Sequence, residues 1–237
     1  MSTKPQSANL SLLIRAFLPS SLVFATLLIL VAPAWAGTFD VSNTNAIAIN
    51  DSGTPPTIAS LYPSTISITG LPGESLSHLT VTLYGLSHTF PSDLSIVLAG
   101  PSGQLSMLLS EVGGNTKFPV SDLTLTLDDL AANSLPIDSA LVSGTFKPTR
   151  QFPTLAFELP SPAPAGSSSA PAALSVFNGT DPNGTWNLYV VDESSPDSGT
   201  IALGWSMNIT TVPEPGILGI ALLSLGCFAA IRVWRRD

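Results

Sequence analysis

The sequence predicts an all-β protein, a jelly-roll-like β-sandwich flanked by an N-terminal signal peptide and a C-terminal transmembrane helix. Three observations predict it. Apolar and polar residues alternate through the middle of the chain, Pro and Gly punctuate those runs, and an uncharged apolar block lies toward each end. The expected organisation is a signal peptide over 1–36, a sandwich over 37–211 and a tail over 212–237, with its helix at 216–234.

At the front, Lys4 and Arg15 precede an uncharged stretch, and 22–32 is an eleven-residue apolar core. Pro33 breaks it, and Ala34 and Ala36 put small residues where a signal peptidase reads them. Basic, apolar and small segments in that order make a secretory signal, with cleavage after Ala36. The alternative is an uncleaved anchor, for which the apolar core is short.

The sandwich is read from side-chain period. Leu79, Val81 and Leu83 alternate with polar residues, as do Leu94, Ile96 and Leu98, then Leu105, Met107 and Leu109. Leu123, Leu125 and Leu127 follow, then Trp186, Leu188 and Val190, and last Ile201, Leu203, Trp205, Met207 and Ile209. Period two with abundant Thr and Val places one row of each strand in a core. Turns fall at Pro72-Gly73, Gly100-Pro101-Ser102-Gly103, Gly113-Gly114 and Pro182-Asn183-Gly184. No helical period with caps occurs over 37–212. Short antiparallel strands without helices give a sandwich or jelly roll. The segment 161–173, SPAPAGSSSAPAA, reads as a nearly structureless surface connection within one domain.

Charge narrows the partners. Only 10% of the 237 residues are charged, and 37–212 holds three basic residues (Lys117, Lys147, Arg150) against fourteen acidic ones. Such a surface repels phosphate backbones, so nucleic acid is excluded as a partner class. The excess acid serves solubility or holds a cation. The single cysteine, Cys227, lies in the C-terminal apolar block, so the body has no disulfide and depends on its hydrophobic core.

At the back, Pro213-Glu214-Pro215 precedes 16 uncharged residues at 216–231 and then Arg232, Trp234, Arg235 and Arg236. As helix the block spans about 24 Å at ~1.5 Å per residue, short of the ~30 Å hydrocarbon core. Arg232 can snorkel, and the basic end stays cytoplasmic under the positive-inside rule. These three parts resemble a PEP-CTERM sorting signal. That resemblance implies cleavage near Glu214 by an exosortase-type membrane protease in a Gram-negative-type, exopolysaccharide-producing bacterium. It also implies anchoring in the inner membrane in transit, then display at the cell surface or in the extracellular matrix. A permanent membrane anchor is the alternative.

A second resemblance rests on Ser87-His88-Thr89-Phe90-Pro91-Ser92-Asp93-Leu94, running on through Leu98-Ala99-Gly100-Pro101-Ser102-Gly103. Val176-Phe177-Asn178-Gly179-Thr180-Asp181-Pro182-Asn183-Gly184-Thr185-Trp186, Val190-Val191-Asp192, Asp197-Ser198-Gly199-Thr200-Ile201 and Trp205-Ser206 extend it. Over about 66–211 the chain resembles the P domain (P/Homo B) of proprotein convertases and its bacterial relatives, which implies a jelly-roll sandwich. In convertases that domain supports a subtilisin-like protease; none is expected ahead of it here.

Catalysis is not expected. Only His78 and His88 can act as imidazole bases, and no Ser stands in a nucleophile-elbow context. A family label of serine endopeptidase would therefore mislead.

No motif demands a cofactor. Calcium is the candidate, with Asp93, Asp128, Asp129, Asp192 and Asp197, and Glu193 beside them, at expected strand ends and turns. The resemblance favours it, because some bacterial P domains hold calcium. Solvated turn carboxylates are the plainer reading.

Trp186 and Trp205 fall in core rows. The function expected is a non-catalytic exported module contacting other surface proteins or exopolysaccharide. Its processing partners would be signal peptidase and the exosortase-type protease. A carbohydrate-binding module is the alternative, and it needs Tyr84, Phe90, Phe152 and Tyr189 in one exposed row. An accessory domain for a separate subtilisin-like protease is the third reading.

Overall fold

Alternating rows dictate strands, and the computed structural model, which describes residues 37–50, 54–71, 74–114 and 118–213, is all-β. One sheet follows the order β1 (Gly37–Asn43), β13 (Trp205–Pro213), β5 (Glu74–His88), β12 (Gly199–Ile201), β2 (Ile47–Ile49). β8 (Val120–Asp128) also pairs with β5, and β9 (Gly144–Phe146) lies beyond β8. The second sheet runs β10 (Thr149–Arg150), β7 (Leu105–Ser110), β6 (Leu94–Ala99), β11 (Gly184–Asp192), β3 (Thr57–Ile58). β4 (Ser64–Ile68) pairs with β11 as well. Most pairs are antiparallel as expected, but β8–β9 and β7–β10 are parallel. Both sheets are therefore mixed.

The inner rows meet in one core. Leu79, Val81 and Leu83 of β5 face Leu125 and Leu127 of β8 and Met207 and Ile209 of β13, all buried. Trp186 and Trp205 are its largest members, as their rows predict. The Trp186 indole N–H donates to Pro182 O at 3.0 Å, and the Trp205 N–H donates to Ser64 Oγ at 2.9 Å. Phe177 stands edge-on to Trp186 at 4.9 Å between ring centroids. Truncating a buried aromatic of this kind costs ~3–5 kcal/mol.

Two expected rows are corrected. Leu203 belongs to no inward row: it is 63% exposed, because Ala202–Gly204 form a bulge opposite Tyr84 and Gly85. Gly204 permits it at φ +73°, where a Cβ would sit 2.0 Å from Asn43 O. In β7 a register shift opposite Ile96 and Val97 splits the row Leu105, Met107, Leu109. Leu109 joins the main core, and Met107 and Leu105 turn to the outer face.

That outer face is covered by residues 152–170, which run into the segment read as a structureless surface connection. Leu155, Leu159 and Ala170 pack on Val97, Met107, Tyr189 and Val191 as a second apolar cluster. Arg150 clamps the segment by donating to Phe152 O at 2.5 Å, Ala170 O at 2.7 Å and Ser168 O at 2.8 Å. Tyr62 and Tyr189 donate their hydroxyls to Pro160 O and Pro162 O. The segment lacks strands, yet its carbonyls find donors and its apolar residues find a sheet.

The termini of the body lie together. Gly37 pairs with Thr211, and Pro213, the first residue of Pro213-Glu214-Pro215, ends β13 opposite Glu74. Ala34, Ala36, Glu214, Pro215, Arg232, Arg235 and Arg236 lie outside the described residues. So does 216–234, where the spanning helix was expected. The localisation expected from the sequence, with an inner-membrane anchor, is corrected: no helix among the described residues is long and apolar enough to cross a membrane.

Candidate functional site

Three strand ends converge at the pole opposite the termini. β5 ends in His88, a 3-10 turn at Pro91–Asp93 leads into β6, and β11 ends in Asp192. Register sets the geometry: Asp192 stands opposite Leu94, Val191 opposite Ser95, and Gly199 of β12 opposite His88. Gly199 is required there, since a Cβ would lie 2.1 Å from Ser87 O and 2.4 Å from the His88 ring.

The centre of this pole is a sealed imidazole–carboxylate pair. His88 Nε2 lies 3.1 Å from Asp192 Oδ2, with both side chains at 0% exposure. The Phe90 N–H donates to His88 Nδ1 at 3.2 Å, so Nδ1 is the acceptor and Nε2 carries the proton given to Asp192. The other Asp192 oxygen accepts from the Ser194 N–H at 3.2 Å. Thr89 donates its hydroxyl to Asp197 Oδ1 at 2.8 Å and accepts from the Ser198 N–H at 3.0 Å. The first of these bonds joins two strand ends, those of Phe90 and Ser194 close local turns, and those of Thr89 tie the residue after β5 to the loop before β12.

Around the pair the carboxylates crowd. Burial pushes the Asp93 carboxyl up to about 6, and the charges of Asp192 and Asp197 add to it, with His88 opposing. Burial pushes Glu193 up to about 7, against the Ser95 hydroxyl that donates to its Oε1, and Glu111, Asp93 and Asp192 push the same way as burial. Glu111 is also raised, chiefly by burial, and it holds a left-handed φ of 54°. Sequence reasoning missed Glu111; its place just past β7 was the only signal.

The expected calcium set divides. Asp93, Asp192 and Asp197 gather at this pole with Glu193. Asp128 stands opposite Thr80, eight residues back along β5 from His88, or about 26 Å at ~3.3 Å per residue. It accepts from the Leu130 N–H at 2.8 Å and lies 3.4 Å from His78 Nε2. Asp129 accepts from the Leu174 and Ser175 N–H groups at 2.9 and 2.8 Å, closing the start of a 3-10 turn. Among the described residues no three His, Cys, Asp or Glu side chains are arranged to hold a metal ion. Asp128 and Asp192 each bond the N–H two residues on, as turn carboxylates do.

The aromatic row does not form either. Tyr189 is buried under the covering segment, and the Tyr84 hydroxyl is within 3.0 Å of Ser206 Oγ on the other sheet. Phe90 is half-buried, and Phe152 alone of the four is exposed.

No family model matches the chain, and no curated protein matches it. Among solved structures, it is similar to a serine protease of Aeromonas sobria at 16% identity, covering 75% of this chain and 27% of that one, with a TM-score of 0.35. The complex of that protease with its chaperone ORF2 gives 16% identity, 76% and 27% coverage and a TM-score of 0.36. The chain thus spans about a quarter of the length of the solved proteins it resembles, and a likeness so slight speaks to neither activity nor partner.

Proposed function

We propose that the body is a non-catalytic, P-domain-like binding module for a protein partner. The observation that carries this reading is the enclosure of His88. A general base must reach the proton it takes, and this imidazole is closed to solvent with both ring nitrogens engaged. His78 is the other imidazole, and its polar neighbour is Asp128 rather than a serine hydroxyl. The motif residues that carry the P-domain resemblance, His88, Asp192 and Gly199, thereby act as structural fasteners at three strand ends. The finer part of the proposal is maturation: cleavage after Ala36, and processing at Pro213-Glu214-Pro215 by an exosortase-type protease.

The test is reaction with a fluorophosphonate serine probe beside a casein-hydrolysis assay. Neither is expected to exceed the heat-denatured control. Labelling that disappears in His88→Gln would establish an enzyme and overturn the reading. Mass spectrometry of both mature termini tests the processing.

A further inference from the structure

β1 and β4 are edge strands on the same side of the sandwich, each paired on one flank only among the described residues. The seam between them is closed at one end, where Asn43 Nδ2 donates to Thr65 O at 2.9 Å and to Ser64 Oγ at 3.3 Å. Toward Gly37 and Leu71 it opens into a cavity of about 430 Å³ lined by Phe39, Asp40, Val41, Ser67, Ile68 and Leu71 among others. A second cavity of about 640 Å³ continues it, sharing Ile68 and Leu71 and adding Asp181.

Phe39 is the anomaly. It pairs with Ile209, whose side chain is wholly buried, so its ring points to the inner face, yet it remains 37% exposed. Beneath that ring, at Gly37, lies the Thr211 hydroxyl, buried with no hydrogen-bond partner among the described residues. The inner side of the seam is thus apolar and incompletely filled, and its rim is a strand edge whose backbone groups have no ladder partner among the described residues.

Charge selects the occupant. Asp40 and Asp181 border the seam, and among the described residues no lysine or arginine lines either cavity. The described cations, Lys147 and Arg150, follow β9 and form β10, the strands at the far edges of the two sheets. We propose that the seam is a docking site for an extended peptide of a partner protein that alternates apolar and basic residues and adds to the edge of β1. Its apolar residues pack on Phe39, Val41, Ile68 and Leu71, and its basic residues stand on the outer face beside Asp40. The inference rests on the body being a binding module and names the surface and partner class for it.

The test uses the full chain in non-ionic detergent and three synthetic peptides: alternating Lys-Val, a block peptide of the same composition, and alternating Glu-Val. The alternating Lys-Val peptide is expected to bind best and to slow hydrogen exchange in β1 and β4, not in β9 or β10. Asp40→Lys, at an exposed position, should weaken it about tenfold, and Phe39→Ala should weaken it further with the fold intact by circular dichroism. Equal binding of block and alternating peptides, equal binding of the Glu-Val peptide, or protection confined to the His88 pole would each overturn the proposal. None of these outcomes depends on the serine-probe result, so the two readings fail separately.

Discussion

The His88 Nε2–H donates a hydrogen bond to Asp192 Oδ2 across 3.1 Å in a space that solvent does not reach. The two residues lie 104 positions apart in the chain, and their bond joins the end of β5 in one sheet to the end of β11 in the other. A buried pair of this kind is hard to remove by halves. Asp192→Ala leaves the buried imidazole N–H without an acceptor and should cost about 1–3 kcal/mol. Asp192→Asn keeps an oxygen and should cost less. Urea denaturation of both variants checks the order.

Stability should fall as pH rises from about 4.5 toward 8. Glu193 titrates near its ordinary 4.5 when unfolded and at about 7 when folded. Between those values the folded state binds more protons, so raising pH favours unfolding. Asp93, raised to about 6, acts in the same direction. Glu193→Gln removes the carboxylate, so it should flatten the profile and stabilise the protein at pH 8 by on the order of 1–2 kcal/mol, given partial solvent screening. Thermal melts across that range decide; an unchanged slope in the variant would count against the cluster.

Gly199→Ala should destabilise by about 2–3 kcal/mol, because its Cβ would meet the Ser87 carbonyl at 2.1 Å and backbone cannot swing away. Gly103→Ala tests the contrast at a turn glycine whose Cβ would meet nothing within 4 Å, leaving only the strain of φ +90°. Chemical denaturation of the pair separates steric from conformational cost.

Arg150→Ala should loosen the segment that covers Val97, Met107 and Tyr189. Three carbonyls lose their charged donor, each such bond contributing ~1.5–3 kcal/mol when intact. Faster hydrogen exchange and proteolysis over 152–170, with the main core still protected, is the expected signature.

What the sequence showed clearly was period. The rows Leu79–Val81–Leu83, Leu125–Leu127 and Trp186–Leu188–Val190 are inward rows of the core, because alternation is a local property of one strand. What it hid depended on neighbours. Leu203 carries the right period, yet the bulge opposite Tyr84 and Gly85 ejects it. The 161–173 segment carries a disorder-like composition, yet Arg150 holds its Ser168 and Ala170 carbonyls and Tyr189 that of Pro162. The acids at strand ends looked equivalent, but register sends Asp93, Asp192 and Asp197 to one pole and leaves Asp128 partway along β5.

The claim on which the functional reading turns is that His88 is a sealed fastener rather than an accessible base. Brief treatment of the native protein with diethyl pyrocarbonate, followed by peptide mass mapping, tests it against an internal standard. His78, with 30% of its side chain exposed, should be modified, and His88, at 0%, should not be until the protein is unfolded. Modification of His88 in the native state at a rate like that of His78 would contradict the account.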